Sequence, residues 1–353
     1  MTIYFLPTSK DALQDRIFEI NKNIPKYEGG LLDFDFWGRF SEAAQSLGIE
    51  AHTFDMWDKR RSGPDDILLV QNHPGETFPW RVYYFLKYFK HRGGFMLERR
   101  RFFNRNYKFF SKRILIQAES PAIIPYAYRS GRINALQEKR IYNKIFLLSQ
   151  GNGNDRFHYY FYRDRNIISP YFDGPKDGFL TMVNANMLIH SFKNELYGER
   201  LKAIKYFSVM PSFDLYGYGW DKRPRHPFYF HYKEYVARVW RGSVVNKVKT
   251  MSRYKFSLCF ENCVYPGYIS EKIFDCLAAG SIPIYLGAPD INSLVPKTCF
   301  IDFREFRNYD ELNKFLSSVS PERVDEYRQT IKSFLADRSN LKDIKSFVND
   351  LTE

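Results

Sequence analysis

Apolar runs of strand length alternate with helical runs along most of this chain, and that alternation limits its fold more than any other feature. The segments TIYFLP, DDILLVQN and RILIQAES are typical of buried strands, and a helical segment carrying Phe36 and Phe40 separates the first two. A second helical segment, WRVYYFLKYFKHRG, is predicted to end at Gly93 and Gly94. Strands and helices in this order predict a parallel α/β sheet.

The alternation continues after a turn-rich region, which predicts a second domain. Polar and glycine-rich stretches over 149–157 and 169–178 flank the expected junction. A chain of 353 residues also exceeds one comfortable hydrophobic core. We therefore expect an α/β protein with two Rossmann-like domains, over 1–165 and 166–325. C-terminal helices over 320–353 could pack back on the first domain.

The formal net charge of +13 indicates that an anionic partner matters. The densest basic stretch is ERRRFFNRNYKFFSKR (98–113), where seven basic residues alternate with aromatic ones. It could bind RNA, lie on an anionic membrane surface, or form the solvated face of an element packed on the core.

Four cysteines lie in apolar surroundings within the last third of the chain, and they are interpreted as buried thiols. Cys259 and Cys263 have no second pair or histidine at ligand spacing, so no metal site is expected there. The sequence contains no apolar run of bilayer length and begins without a leader-like segment. These observations favour a reducing cytoplasmic location.

The stretch KFSLCFENCVYPGYISEKIFDCLAAGSIPIYLG (255–287) predicts one strand–helix–strand unit. Ser270 is a good N-cap, and Gly280 ends the helix. In open α/β sheets, ligands bind beyond the carboxyl ends of the strands, where the next helix offers free amides to a phosphate. Lys272 in the first turn adds a full cation, although it could also point to solvent and pair with an acid.

This stretch resembles the alpha-1,3-fucosyltransferases, whose pattern is Phe-x-Leu-x-Phe-Glu-Asn, a short loop, Tyr-x-Thr/Ser-Glu-Lys, a helix and Pro-x-Tyr-x-Gly-x-Pro. Weaker similarities are QAESP (117–121), DLYGYGW and FIDFREFRNYDELNKFL. The resemblance implies the GT-B fold, with two parallel sheets facing across a cleft. It also implies an inverting, metal-independent transferase with GDP-L-fucose as its donor substrate and no required cofactor.

The resemblance implies a donor site in the second domain. Arg200 is similar to the family's phosphate-binding arginine, although it could be a surface helix residue, and Tyr216 and Gly217 are similar to its Tyr-Gly strand. Without a metal, the departing diphosphate needs cations such as Lys272 and Arg200.

Three further side chains are expected in the same pocket. Glu271 could hold sugar hydroxyls and stabilise positive charge at an oxocarbenium-like centre. Asn262 and Tyr268 are expected to contact the donor.

An inverting displacement needs a general base on the acceptor side. Glu119 ends a buried strand and matches the family's Glu-Ser-Pro, so we assign it that role. Its rivals are Glu76 and Asp35, and His73 could touch the acceptor.

The expected product is a glycan carrying fucose, linked to O3 of a GlcNAc- or galactose-containing acceptor such as a microbial lipopolysaccharide. The 98–113 stretch would then hold the enzyme on the inner membrane face. Two alternatives stay open: transfer from another GDP-sugar, and an RNA-binding protein without activity.

Overall fold

A computed structural model provides the structure of the protein. It describes residues 1–19, 33–74, 93–125, 128, 140–147, 155–156, 167–187, 193–222, 230–337, 339 and 342–353. The chain divides into two compact units. Unit 1 comprises Met1–Lys22, Phe34–His158 and Lys342–Glu353, and unit 2 comprises Asn23–Asp33 and Tyr159–Leu341.

The described strands of each unit form one parallel sheet. The strands are β1 Thr2–Leu6, β2 Glu50–Thr53, β3 Ile67–Gln71, β4 Lys112–Gln117, β5 Lys144–Leu147, β6 Asp155–Arg156, β7 Gly178–Val183, β8 Phe213–Tyr216, β9 Tyr254–Phe260, β10 Ile282–Leu286 and β11 Ile301–Asp302. The helices are α1 Asp33–Ser46, α2 Gly93–Asn106, α3 Tyr197–Phe207, α4 Lys233–Val239, α5 Lys247–Met251, α6 Glu271–Ala278, α7 Tyr309–Ser318, α8 Pro321–Ala336 and α9 Ile344–Thr352.

The unit 1 sheet has the described order β2-β1-β3-β4-β5-β6, and every pairing is parallel. Most residues of β1, β3 and β4 are buried, so these strands form nearly continuous apolar runs in the sequence. Gly93 and Gly94, which we predicted to end a helix, instead lie in the first turn of α2. The rest of that predicted helix lies outside the described residues.

The two C-terminal helices belong to different units. Helix α8 lies in unit 2, and Ser320 is its N-cap, because the Ser320 side chain accepts a hydrogen bond from the Arg323 amide. Helix α9 packs within unit 1, where the Phe347 ring centroid lies 5.5 Å from that of Phe36 and 5.9 Å from that of Phe40.

The unit 2 sheet has the order β11-β10-β9-β7-β8, again parallel throughout. Helix α6 connects β9 to β10, and these elements form the predicted strand–helix–strand unit. All four cysteines are free and buried, as predicted. Among the described residues, none of the helices combines the length and apolar character that a bilayer crossing needs.

Candidate functional site

The loop after β9 is held against the start of α3 by an antiparallel backbone contact. The Leu196 amide donates to the Asn262 carbonyl oxygen at 3.1 Å, and the Val264 amide donates to that of Asn194 at 2.8 Å. Because α3 begins directly after this contact, its first turn lies beside the carboxyl end of β9. A residue of that turn can therefore reach the loop.

Arg200 occupies this position. It is only 3% exposed, so its interpretation as a surface helix residue was wrong. Its Nη2 atom donates to the carbonyl oxygens of Phe260 and Glu261, both at 2.7 Å, and to Asn262 Oδ1 at 3.1 Å. Its Nε atom is buried and makes no hydrogen bond to the described residues. The guanidinium fixes the end of β9 and places a positive charge beneath the loop.

Lys272 provides the second cation from the first turn of α6. Its Nζ atom lies 3.5 Å from Glu261 Oε2 and 3.6 Å from Glu271 Oε1, and it donates to Ser270 Oγ at 3.1 Å. Its side chain is 19% exposed. Both cations therefore contact Glu261, one through its carbonyl oxygen and the other through its carboxylate.

The charge of Lys272 is stabilised by the two acids. Burial alone would lower the pKa of Lys272, but the carboxylates of Glu271 and Glu261 outweigh that effect and raise it above its usual value, although Arg200 opposes them. The lysine is thus a permanent cation at physiological pH.

Glu261 is a central residue of the site to which the sequence analysis gave no role. Its fully buried carboxylate accepts from the Ser270 amide at 2.8 Å and from Ser270 Oγ at 2.7 Å, so it fixes the N-cap of α6. A Cβ atom on Gly287 would lie 2.5 Å from Glu261 Cγ, so only glycine fits there. An acid directly after a buried strand was the signal available in the sequence.

Asn262 and Tyr268 belong to the same cluster. Asn262 accepts from Arg200 and donates through Nδ2 to the Tyr268 hydroxyl at 3.2 Å. Tyr268 is 2% exposed. The structure therefore brings together five of the predicted side chains: Arg200, Asn262, Tyr268, Glu271 and Lys272.

Tyr216 and Gly217 have no hydrogen bond to that cluster among the described contacts. The Tyr216 hydroxyl lies 2.9 Å from the hydroxyl of Tyr254, which donates to Asp214. Gly217 has φ +132°, and a Cβ atom there would lie 2.0 Å from the Asn184 carbonyl oxygen. In this structure Tyr216 therefore contacts the first residue of β9, and Gly217 lies against the backbone directly after β7.

In unit 1, Glu119 lies two residues beyond β4 and is partly buried. Its amide donates to Asn72 Oδ1 at 3.2 Å, and its carbonyl oxygen accepts from the Tyr128 hydroxyl at 2.6 Å. His73 Nδ1 lies 2.7 Å from the hydroxyl of Tyr142. Of the rival bases, Glu76 and the side chain of Asp35 lie outside the described residues.

The basic stretch 98–113 is exposed only in part, since one of its arginines, Arg99, is 1% exposed. Phe103 and Phe110 are buried in the core of unit 1, whereas Arg101, Arg105 and Lys108 are exposed. This matches the predicted alternative of a basic face on an element that packs on the core.

Comparison with known proteins finds a family model that matches much of unit 2. Residues 185–340 match the family model described as Glycosyltransferase family 10 (fucosyltransferase) C-term. The chain is 42% identical over 69 residues to Alpha-(1,3)-fucosyltransferase FucT of Helicobacter pylori, which covers 20% of this chain and 14% of that protein. It is 28% identical over 169 residues to 4-galactosyl-N-acetylglucosaminide 3-alpha-L-fucosyltransferase 9 of Bos taurus, which covers 44% of this chain and 41% of that protein.

These matches span less than half the length of both relatives. Among solved structures, TarM aligns with a TM-score of 0.51 at 10% identity, over 82% of this chain and 55% of that chain. At this identity the likeness concerns the fold alone. The fold is of the GT-B type, with one parallel sheet in each of two Rossmann-like units.

Proposed function

We propose that the protein transfers L-fucose from GDP-L-fucose to a sugar hydroxyl, on the premise that residues 185–340, which match the model of the C-terminal domain of glycosyltransferase family 10 (fucosyltransferase), form such a domain. The observation that carries the proposal is the contact of Lys272 and Arg200 with one residue, Glu261, at the carboxyl end of β9. This is the end of the strand at which open α/β sheets bind ligands.

In the proposed reaction the two cations stabilise the departing GDP. As the bond from the sugar carbon to the diphosphate breaks, negative charge grows on the leaving oxygen. Lys272 can touch that anion because part of its side chain is exposed, whereas Arg200 acts from beneath the loop. These charges and the first amides of α6 replace a metal ion, so transfer should continue in EDTA.

Glu119 is the proposed general base. It takes the proton of the acceptor hydroxyl while that oxygen attacks the sugar carbon, and the configuration at that carbon inverts. Glu271 is proposed to stabilise the positive charge that develops on the sugar ring. Glu119→Gln should keep the affinity for GDP-fucose and lower turnover by about 100-fold.

The proposed acceptor is a glycan with a GlcNAc or galactose residue, fucosylated at O3, such as a microbial surface lipopolysaccharide. The name of the bovine relative, 4-galactosyl-N-acetylglucosaminide 3-alpha-L-fucosyltransferase 9, supports this class of acceptor.

GDP release from GDP-fucose and from GDP-mannose tests the function, with and without a panel of GlcNAc- and galactose-containing acceptors in EDTA. We expect release only from GDP-fucose and only with an acceptor, with inversion seen by NMR of the product. Release from GDP-mannose alone would favour the alternative donor, and no release from either would refute the function.

We also propose that unit 1 binds anionic membranes through charge. The exposed side chains of Arg101, Arg105 and Lys108 support this, and burial of Phe103 and Phe110 argues against aromatic insertion. Binding to phosphatidylglycerol vesicles should therefore fall steeply with salt and vanish for neutral vesicles. Equal binding to both would contradict the proposal, and tighter binding to RNA would favour the nucleic-acid alternative.

A further inference from the structure

A buried asparagine follows β3 in a conformation that few residues adopt. Asn72 has φ +55° and is 5% exposed. Left-handed backbone is unfavourable for most residues, but asparagine tolerates it better than other residues with side chains. Its own amide donates to the Ile116 carbonyl oxygen at 2.8 Å, which ties the end of β3 to β4.

The side chain of Asn72 holds the backbone that follows β4. Its Oδ1 atom accepts from the amide of Ala118 at 2.9 Å, from the amide of Glu119 at 3.2 Å, and from Gln117 Nε2 at 3.2 Å. One oxygen therefore fixes the three residues that carry the chain from β4 to Glu119.

A buried guanidinium supports Asn72 in turn. Arg99 of α2 is 1% exposed, and its Nη2 atom donates to the carbonyl oxygens of Gln71, Asn72 and, at 3.4 Å, Leu6. These carbonyls belong to the ends of β1 and β3. A charge buried in this way is costly unless its hydrogen bonds are made, so Arg99 and these backbone atoms are strongly constrained together.

The backbone carbonyl group of Glu119 is held by a different residue, independently of Asn72. Its carbonyl oxygen accepts from the Tyr128 hydroxyl at 2.6 Å. Both the N–H and the C=O of Glu119 are thus bonded to side chains from outside β4.

The geometry points to Asn72 and Tyr128 as positioning residues that hold the carboxylate of Glu119 in place for proton transfer. This inference rests on the proposed function, in which Glu119 is the base. Neither residue is required to touch the substrates. Misplacement of a catalytic group by about 1 Å can lower turnover by up to about 100-fold, so losing either hydrogen bond should act on kcat.

The test compares steady-state fucosyl transfer by the full chain and its variants. Asn72→Gly removes the acceptor while keeping the left-handed backbone accessible, and Tyr128→Phe removes one hydroxyl. We expect each to lower kcat about tenfold or more and to leave KM for GDP-fucose unchanged. Asn72→Asp, which retains an acceptor oxygen, should recover most of the activity.

Asn143→Gly is the matched control. Asn143 is exposed, and its Oδ1 accepts from the Arg113 amide at 2.8 Å near the opposite end of β4, so the control loses an asparagine-to-backbone bond far along the strand from Glu119. It should leave kcat unchanged. Should Asn72→Gly fail to fold by circular dichroism, the milder Tyr128→Phe carries the test.

Three outcomes would overturn the inference: an unchanged kcat in Tyr128→Phe or folded Asn72→Gly, a loss confined to KM for GDP-fucose, or no recovery in Asn72→Asp. Failure of the proposed function is distinguishable, because the wild-type protein would then release no GDP from GDP-fucose with any acceptor.

Discussion

Replacing Lys272 by methionine should destabilise unit 2, because it leaves the buried carboxylate of Glu261 without its cation. Glu261 is fully buried, and breaking a buried ion pair typically costs 3–5 kcal/mol. Here the lower end applies, about 3 kcal/mol, since Ser270 still donates two hydrogen bonds to Glu261 and Lys272 is 19% exposed. The ion pair of Lys272 with Glu271 is lost as well, and because Glu271 is 26% exposed, this loss adds under about 1 kcal/mol to the cost.

Hydrogen exchange of the β9 amides measures this cost for unit 2 alone. A double-mutant cycle with Glu261→Gln should give a coupling of about 1–2 kcal/mol, because the second change removes the uncompensated charge. Because the pKa of Lys272 is raised, the difference in the free energy of unfolding between wild type and Lys272→Met should be constant below pH 10.5, the usual pKa of lysine. Above that pH the difference should become smaller. A cost under about 1 kcal/mol with no coupling would refute the ion pair.

Three further changes test the packing of unit 2 by chemical denaturation. Gly287→Ala should cost several kcal/mol, because its Cβ would overlap Glu261 Cγ at 2.5 Å, and a neutral effect would contradict that close approach. Gly217→Ala should be equally damaging, since φ is +132° and the new Cβ meets a carbonyl oxygen at 2.0 Å; normal stability would mean that this turn relaxes. Lys176→Met should cost about 2 kcal/mol, because Lys176 Nζ donates to carbonyls that end α5 and α6. Burial lowers the pKa of Lys176 to about 8, so the unfolded state binds more protons between pH 8 and 10.5. Between these pH values the free energy of unfolding of the wild type should rise relative to that of Lys176→Met. A difference between the two proteins that does not change with pH would contradict the lowered pKa.

The fold was predictable where buried strands appear as apolar runs in the sequence and where a capping residue marks the start of a helix. Strands such as β1, β3 and β9 are largely apolar, and Ser270 begins α6 as its N-cap. The glycines of α2 misled the prediction, because Gly93 and Gly94 are usual at a helix end but lie in a first turn here. Short strands such as β5 and β6 carry too few residues to show a pattern.

The candidate site was predictable as a set of residue types but not as a set of contacts. Spacing placed Asn262 and Tyr268 on the loop after β9, and Glu271 and Lys272 in the first turn of α6 directly after that loop. The role of Glu261 depends on Gly287 and Ser270 approaching it in three dimensions, which spacing alone does not reveal. The hydrogen bonds from the amides after β4 to the side chain of Asn72 likewise join residues that are distant in the sequence, so no local sequence pattern reveals them.

The central claim is that a cationic site at the end of β9 holds the diphosphate of a nucleotide sugar, and calorimetric titration in EDTA tests it. GDP and guanosine would be titrated into the wild type, into Lys272→Met, and into Lys297→Met, which loses an exposed lysine paired with Glu305. A lost charge-assisted hydrogen bond of about 1.5–3 kcal/mol predicts that Lys272→Met binds GDP about 10- to 100-fold more weakly, with unchanged guanosine binding and a normal Lys297→Met control. GDP binding by Lys272→Met as tight as by the wild type would contradict the account.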